Sequence, residues 1–288
     1  MQINSALFLI FIAAFGWATT GVFIRLLPSF QAYEIVTLRF LFAFLFLSFF
    51  LLLNFRTIIK DLRYSNTWLY AIIMLSCYYI GTSAFQLAPV GETTLLMSIS
   101  PLFVITYKLW TKQYTTSKEK RGFLLAIFGI IILFSSNLSN TNYTIYHIFG
   151  NFLALSVGFL FSVYAILHSQ KIGYSPSSLS VTYIMLLIAL VPSLCYMGYY
   201  ITPENQNILF SNLPILAGLG IFATAIPTIA ITIASKTLPP VITSSVLLLE
   251  TIFGILFAYL FLNELQSLYF LISVCVVLIG LLMMILKK

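Results

Sequence analysis

The chain of 288 residues is 61% hydrophobic and only 7% charged, with a formal net charge of +7. A soluble domain carries about 25% charged residues, so this composition excludes a water-soluble globule and indicates a polytopic membrane protein. The positive charge sits mostly in short loops, which points to orientation in a bilayer rather than to nucleic-acid binding.

A hydrocarbon core takes about 20 apolar residues per helix. The first apolar run, 5–27, is too long and too lightly charged at its start for a cleaved signal peptide, and it predicts a spanning helix with Trp17 at mid-depth. The next run, 31–53, carries Arg39 about a third of the way in and Glu34 near its start. Runs 67–87 and 91–112 follow, separated by Ala88-Pro89-Val90-Gly91. Proline disfavours helix in the residue before it, so a tight turn is expected there, and a second at Pro239-Pro240. The remaining runs are 119–136, 148–169, 178–200, 212–236, 241–262 and 266–286. Pro101, Pro192 and Pro227 are expected to kink their helices. Asn137–His147 and Ile201–Ser211 read as the longest outer loops, and both lack Lys and Arg. Cys77, Cys195 and Cys275 lie in apolar runs without CxxC spacing and indicate neither disulfide nor metal.

Lys and Arg set the orientation. With the N-terminus inside, Arg56, Lys60, Arg63, Lys112, Lys118, Lys120, Arg121, Lys171, Lys287 and Lys288 fall on the cytoplasmic side, leaving Arg25 and Lys236 at outer helix ends. An even helix count puts both termini in the cytoplasm.

A shift of 150 positions superposes Ala84–Ile105 on Ala234–Ile255. Ala84, Pro89, Thr93, Phe103 and Ile105 meet identical residues, and both windows run from a helix end through a proline turn to a Thr/Ser-rich helix start. The expected fold is therefore all-α and integral to the membrane, with ten transmembrane helices arranged as two five-helix repeats, residues 1–140 and 141–288. An odd number of helices per half inverts the second half, an arrangement that serves alternating access.

The shift also aligns Ser100 with Glu250. Each lies nine or ten residues into its run, roughly 14 Å deep at 1.5 Å per residue, near the bilayer midplane. A carboxylate at that depth costs about 2.5–3.5 kcal/mol on insertion scales unless it is paired, protonated or facing water. Glu250 reads as a partner for a substrate amine, as a proton site, or as part of a buried structural network.

The stretch Leu247-Leu-Leu-Glu-Thr-Ile-Phe-Gly-Ile-Leu-Phe-Ala-Tyr-Leu-Phe-Leu-Asn-Glu264, with Ser100-Pro101, Gly16-Trp17-Ala18 and Leu38-Arg39-Phe40, resembles the drug/metabolite transporter superfamily, specifically its EamA-type carriers. The family pattern has an acid, usually a proline, an apolar helix, then Gly-Glu at the inner end. Here Glu250 and Glu264 match, while Thr251 and Asn263 replace the proline and the glycine, and Gln113 stands where the first half often has Glu. The resemblance implies a secondary transporter, in the first place an exporter of small organic metabolites such as amino acids. Multidrug or lipophilic-cation efflux, or uptake on the same fold, are the alternatives. It implies a small-molecule substrate and a bilayer as partners, protons as a candidate further partner, no nucleic acid, no cofactor, and a monomer or weak homodimer in the cytoplasmic (inner) membrane.

Around Glu250, the expected substrate-binding set is Trp17, Arg39, Tyr78, Tyr79, Gln86, Ser98, Ser100 and Tyr164. Mid-helix aromatics suit lipid-facing or core packing as well as a cavity wall, and small polar residues suit a site or helix–helix glue. Arg39 is either a structural anchor or a receptor for a substrate carboxylate. Glu34 reads as a solvated rim residue, and Glu92 and Glu264 as interfacial. No HExxH, Gly-x-Ser-x-Gly or paired aspartates occur, Asp61 being the sole aspartate, so catalysis is not expected. A channel would need polar rings or a filter, and a lone mid-helix acid favours a carrier.

Overall fold

A computed structural model describes residues 3–138, 144–169, 176–199, 203–234, 237–238 and 246–285. Among the described residues all regular structure is helical. In chain order it comprises α1 (Ile3–Ala18), α2 (Thr20–Arg25), α3 (Ala32–Leu62), α4 (Ser65–Leu87), α5 (Val90–Met97), α6 (Ser100–Trp110), α7 (Ser117–Leu138), α8 (Ile145–Ser169), α9 (Ser178–Tyr199) and α10 (Pro203–Gly220). A π-helical turn, Ile221–Ala225, then leads into α11 (Ile226–Ala234), followed by α12 (Val246–Leu262) and α13 (Leu268–Ile285). Among the described residues, seven spans are long and apolar enough to cross a membrane: Asn4–Arg25, Ala32–Phe50, Ser65–Leu87, Val90–Trp110, Ile145–Leu167, Gln206–Ala234 and Leu268–Ile285. Ser178–Pro192 and Leu248–Leu262 are shorter apolar helices, and α7 occupies the remaining expected position.

The two halves interlock. α1 packs on α11 and α12, α3 on α9 and α10, α4 on α8 and α9, and α5 on α8 and α12, while α7 pairs with α13. Small residues permit that last pairing. A Cβ on Gly122 would lie 2.6 Å from the Gly280 carbonyl oxygen, and one on Gly280 would lie 2.7 Å from the Gly122 oxygen and the Ala126 nitrogen.

Several expectations are corrected. The presumed loop at Ile201–Ser211 is helical from Pro203, whose missing N–H goes unmissed in a first turn. Glu34 is not a solvated rim residue: it is buried, and it closes a capping box at the start of α3 by accepting the Gln31 N–H. Glu92 is likewise buried, accepting a 2.7 Å hydrogen bond from Asn151 on α8. Glu264 accepts the Val90 N–H at 3.0 and 3.2 Å, so it lies at the end of the bundle opposite Arg56 and Lys112, not at the inner end. Ala234 and Leu238 cluster with Ala6 near the N-terminus, so the end of α11 lies on the N-terminal side of the bundle rather than the outer one. Lys171, Lys236, Pro239, Pro240, Lys287, Lys288 and the Cys195 side chain lie outside the described residues, as do residues 139–143 of the expected loop 137–147.

Candidate functional site

Three helix irregularities converge on one cavity. α1 gives way to α2 at Thr19, whose hydroxyl and N–H both bond the Gly16 carbonyl, at 2.7 and 3.2 Å. The expected single helix over 91–112 is broken between Met97 and Ser100. Pro101 explains the break, because it cannot donate to the Met97 carbonyl and the chain passes through a tighter turn closed by Leu102 N–H to Ile99 O at 2.8 Å. Gly158 on α8 faces the opened carbonyls, since a Cβ there would lie 3.1 Å from Leu96 O and 3.2 Å from Met97 O. In the second half Thr251 stands where the first has Pro101, and α12 runs through that position unbroken.

The third irregularity is the π turn before Pro227. Proline has no N–H to give the Ala223 carbonyl, so the ladder slips and the carbonyl needs another donor. Arg39 supplies it, with Nη2 at 3.4 Å. The Thr224 hydroxyl donates to Leu219 O at 3.0 Å, five residues back, which leaves its lone pairs to accept from Arg39 Nη2 at 2.6 Å and Nε at 3.0 Å. The guanidinium carbon lies 4.9 Å from the centre of the Tyr78 ring. Gly16 and Gly220 let α1 and α3 close on this turn, because a Cβ on either would meet backbone oxygen, at 2.6 Å from Phe222 and 2.5 Å from Arg39 respectively.

The cavity measures about 140 Å³. An apolar void of ~150 Å³ takes benzene, so this one suits a small ring or a short branched chain. Of the residues singled out from sequence, Glu250, Trp17, Arg39, Tyr78 and Ser98 line it. Phe85, Phe161, Met74, Met97, Cys77 and Val157 add apolar wall. Thr20, Thr82, Thr94 and Thr251 add hydroxyls. The Thr82 hydroxyl is buried with no hydrogen-bond partner among the described residues. Glu250 is half-buried and likewise has no hydrogen bond or ion pair among the described residues, although Tyr78 feels both it and Arg39 electrostatically.

The other four expected residues lie elsewhere. Gln86 donates to Phe30 O at 2.8 Å, tying one end of α4 to the turn before α3. Tyr79 and Tyr164 pack against the cluster between α3 and α9, Tyr164 edge-on to Tyr70 at 5.1 Å. Ser100 is buried as the first residue of α6. Sequence reading missed the threonines of the wall because threonine in an apolar helix usually bonds back to its own turn and gives no local signal.

The model of the EamA-like transporter family matches residues 4–135 and again residues 148–286. A crystal structure described only as that of a protein is similar over 97% of this chain and 96% of its own, with a TM-score of 0.65 and 17% identity, and at that identity it speaks for the fold alone. No curated protein matches the chain.

Proposed function

Because this chain belongs to the EamA-like transporter family, a family of multi-pass membrane transporters, we propose that it is a secondary transporter exporting small, amine-bearing organic metabolites by alternating access. The observation that carries the reading is Glu250: a carboxylate in the wall of a mid-helix cavity with no partner among the described residues. An uncompensated carboxylate at such depth costs about 2.5–3.5 kcal/mol. A substrate ammonium removes that cost when bound, and a proton can remove it when the cavity is empty, which makes Glu250 the point where substrate and proton exchange. Trp17, Phe85, Phe161 and Tyr78 would cover the apolar body of the solute, and their faces add attraction for its charge. Rocking of residues 1–140 against 141–288 would open the cavity to one side and then the other, with both termini in the cytoplasm. The same aromatic and methionine wall supports lipophilic-cation efflux as the second reading.

The test is transport of a radiolabelled amine into proteoliposomes containing wild type or Glu250→Gln. The substitution keeps the shape and removes the charge, so transport falls by about tenfold or more while the protein melts cooperatively. Unchanged affinity, rate and pH dependence would overturn the reading.

A further inference from the structure

The cavity wall holds two ionisable groups of opposite sign, Arg39 and Glu250, and at first sight suits a zwitterion. The hydrogen bonds around Arg39 argue otherwise. A carboxylate is recognised by two parallel N–H groups on one edge of a guanidinium. On Arg39, the Nε hydrogen goes to Thr224, and Nη2 is engaged by both Thr224 and the Ala223 carbonyl. Both edges that contain Nη2 are thereby spent, and Nη1 alone cannot form the bidentate pair. The Tyr78 ring beside the guanidinium completes its surroundings, and the side chain is only 1% exposed. Thr224 can hold this arrangement because the π turn lets its hydroxyl proton reach Leu219 O, so its oxygen is wholly an acceptor toward Arg39. Glu250, by contrast, is open to the cavity and unpartnered among the described residues.

We propose that Thr224 is a specificity-determining residue: by occupying the carboxylate-binding edge of Arg39 it restricts the cavity to amines and excludes their carboxylate-bearing counterparts. The solute class is then a monocationic amine with a small apolar body, its ammonium on Glu250. This inference rests on the amine reading of the cavity and narrows it. A carboxylate brought in beside Glu250 would be desolvated without a bidentate partner, which is the repulsive element that specificity requires.

A matched pair of probes tests it: benzylamine, and phenylglycine, which is benzylamine with a carboxylate on the amine-bearing carbon. Binding to purified full-length protein would be measured by calorimetry for wild type, Thr224→Val and Thr224→Ser. Wild type binds benzylamine roughly tenfold or more tighter than phenylglycine. Thr224→Val, which removes the acceptor and frees the guanidinium edge, lowers that ratio, and Thr224→Ser, which keeps it, does not. Equal binding of the two probes by wild type overturns the inference while the amine reading stands, as does a folded Thr224→Val with an unchanged ratio. If wild type binds neither probe, the amine reading fails and takes the inference with it. Should Thr224→Val not fold, Thr224→Ala, which also removes the acceptor, takes its place, and an unchanged ratio in it overturns the inference.

Discussion

Seven acidic residues serve a chain of 288, and their partners separate them. Glu34 caps α3, Asp61 accepts the Ser177 N–H at 3.1 Å, and Glu92 takes the Asn151 amide. Glu119 pairs with Lys108 at 2.9 Å, and Glu264 caps α5. The Glu204 side chain lies outside the described residues, and Glu250 is left without a described partner. Five acids are thus committed to holding helices in place, and one faces a cavity. The structural acids should behave differently from Glu250 when disturbed. Asn151→Ala strips a buried hydrogen bond from Glu92, and a loss of about 1–3 kcal/mol is expected, read as a lower melting temperature with amine affinity retained in the folded fraction. An unchanged melting temperature would show that the Glu92–Asn151 contact contributes nothing.

At the scale of elements, the irregular helices build the site and the regular ones support it. A regular helix spends its carbonyls on itself. The turns at Thr19, at Ser98–Ile99 and at Ile221–Ala225 redirect polar groups toward neighbours, and two of them trace to a proline just downstream, Pro101 and Pro227. The α7–α13 pair illustrates the supporting kind. Its backbones touch at Gly122 and Gly280, and neither helix lines the cavity. Gly280→Leu should therefore wedge this pair apart, at about 1–3 kcal/mol, while the remaining folded protein binds substrate with wild-type affinity. A change in affinity equal to the loss of stability would place α13 within the binding machinery.

For the whole molecule, the alternating access proposed above needs ties that can break. A polar clasp ties helix ends together where Arg25 lies. Arg25 Nη2 donates to Ala88 O at 2.6 Å and Nη1 to Gln86 O at 3.3 Å, and Gln86 reaches Phe30 O. Glu264 at the end of α12 joins the second half to this clasp through Val90 N–H, with Arg25 close enough to attract it. Glu264→Ala should loosen this clasp. Cys77 in the cavity wall reports on it: in a background with Cys195 and Cys275 replaced by alanine, a membrane-impermeant thiol reagent added on the Arg25 side should react several-fold faster in the variant. Equal rates would show that the clasp does not govern access from that side. The arrangement also explains why Gln86, expected from sequence as a polar group of the site, lies outside the cavity wall: its amide is part of the clasp.

The sequence by itself determined the class of molecule, the approximate helix positions, the repeat and the anomaly of Glu250. Those follow from local sums of hydropathy and from residue chemistry at a given depth, quantities that need no knowledge of neighbours. Trp17, Arg39, Tyr78 and Ser98, expected around Glu250 from sequence, line the cavity. Only the tertiary structure decided which polar groups are spent and which are open. Arg39 meets Thr224 across 185 positions, and Val90 meets Glu264 across 174. A hydrogen bond between residues that far apart leaves no trace in either local stretch. It nonetheless fixes whether a buried charge is a strut or a receptor, because a donor already paired in a low-dielectric interior has no second bond to offer a solute.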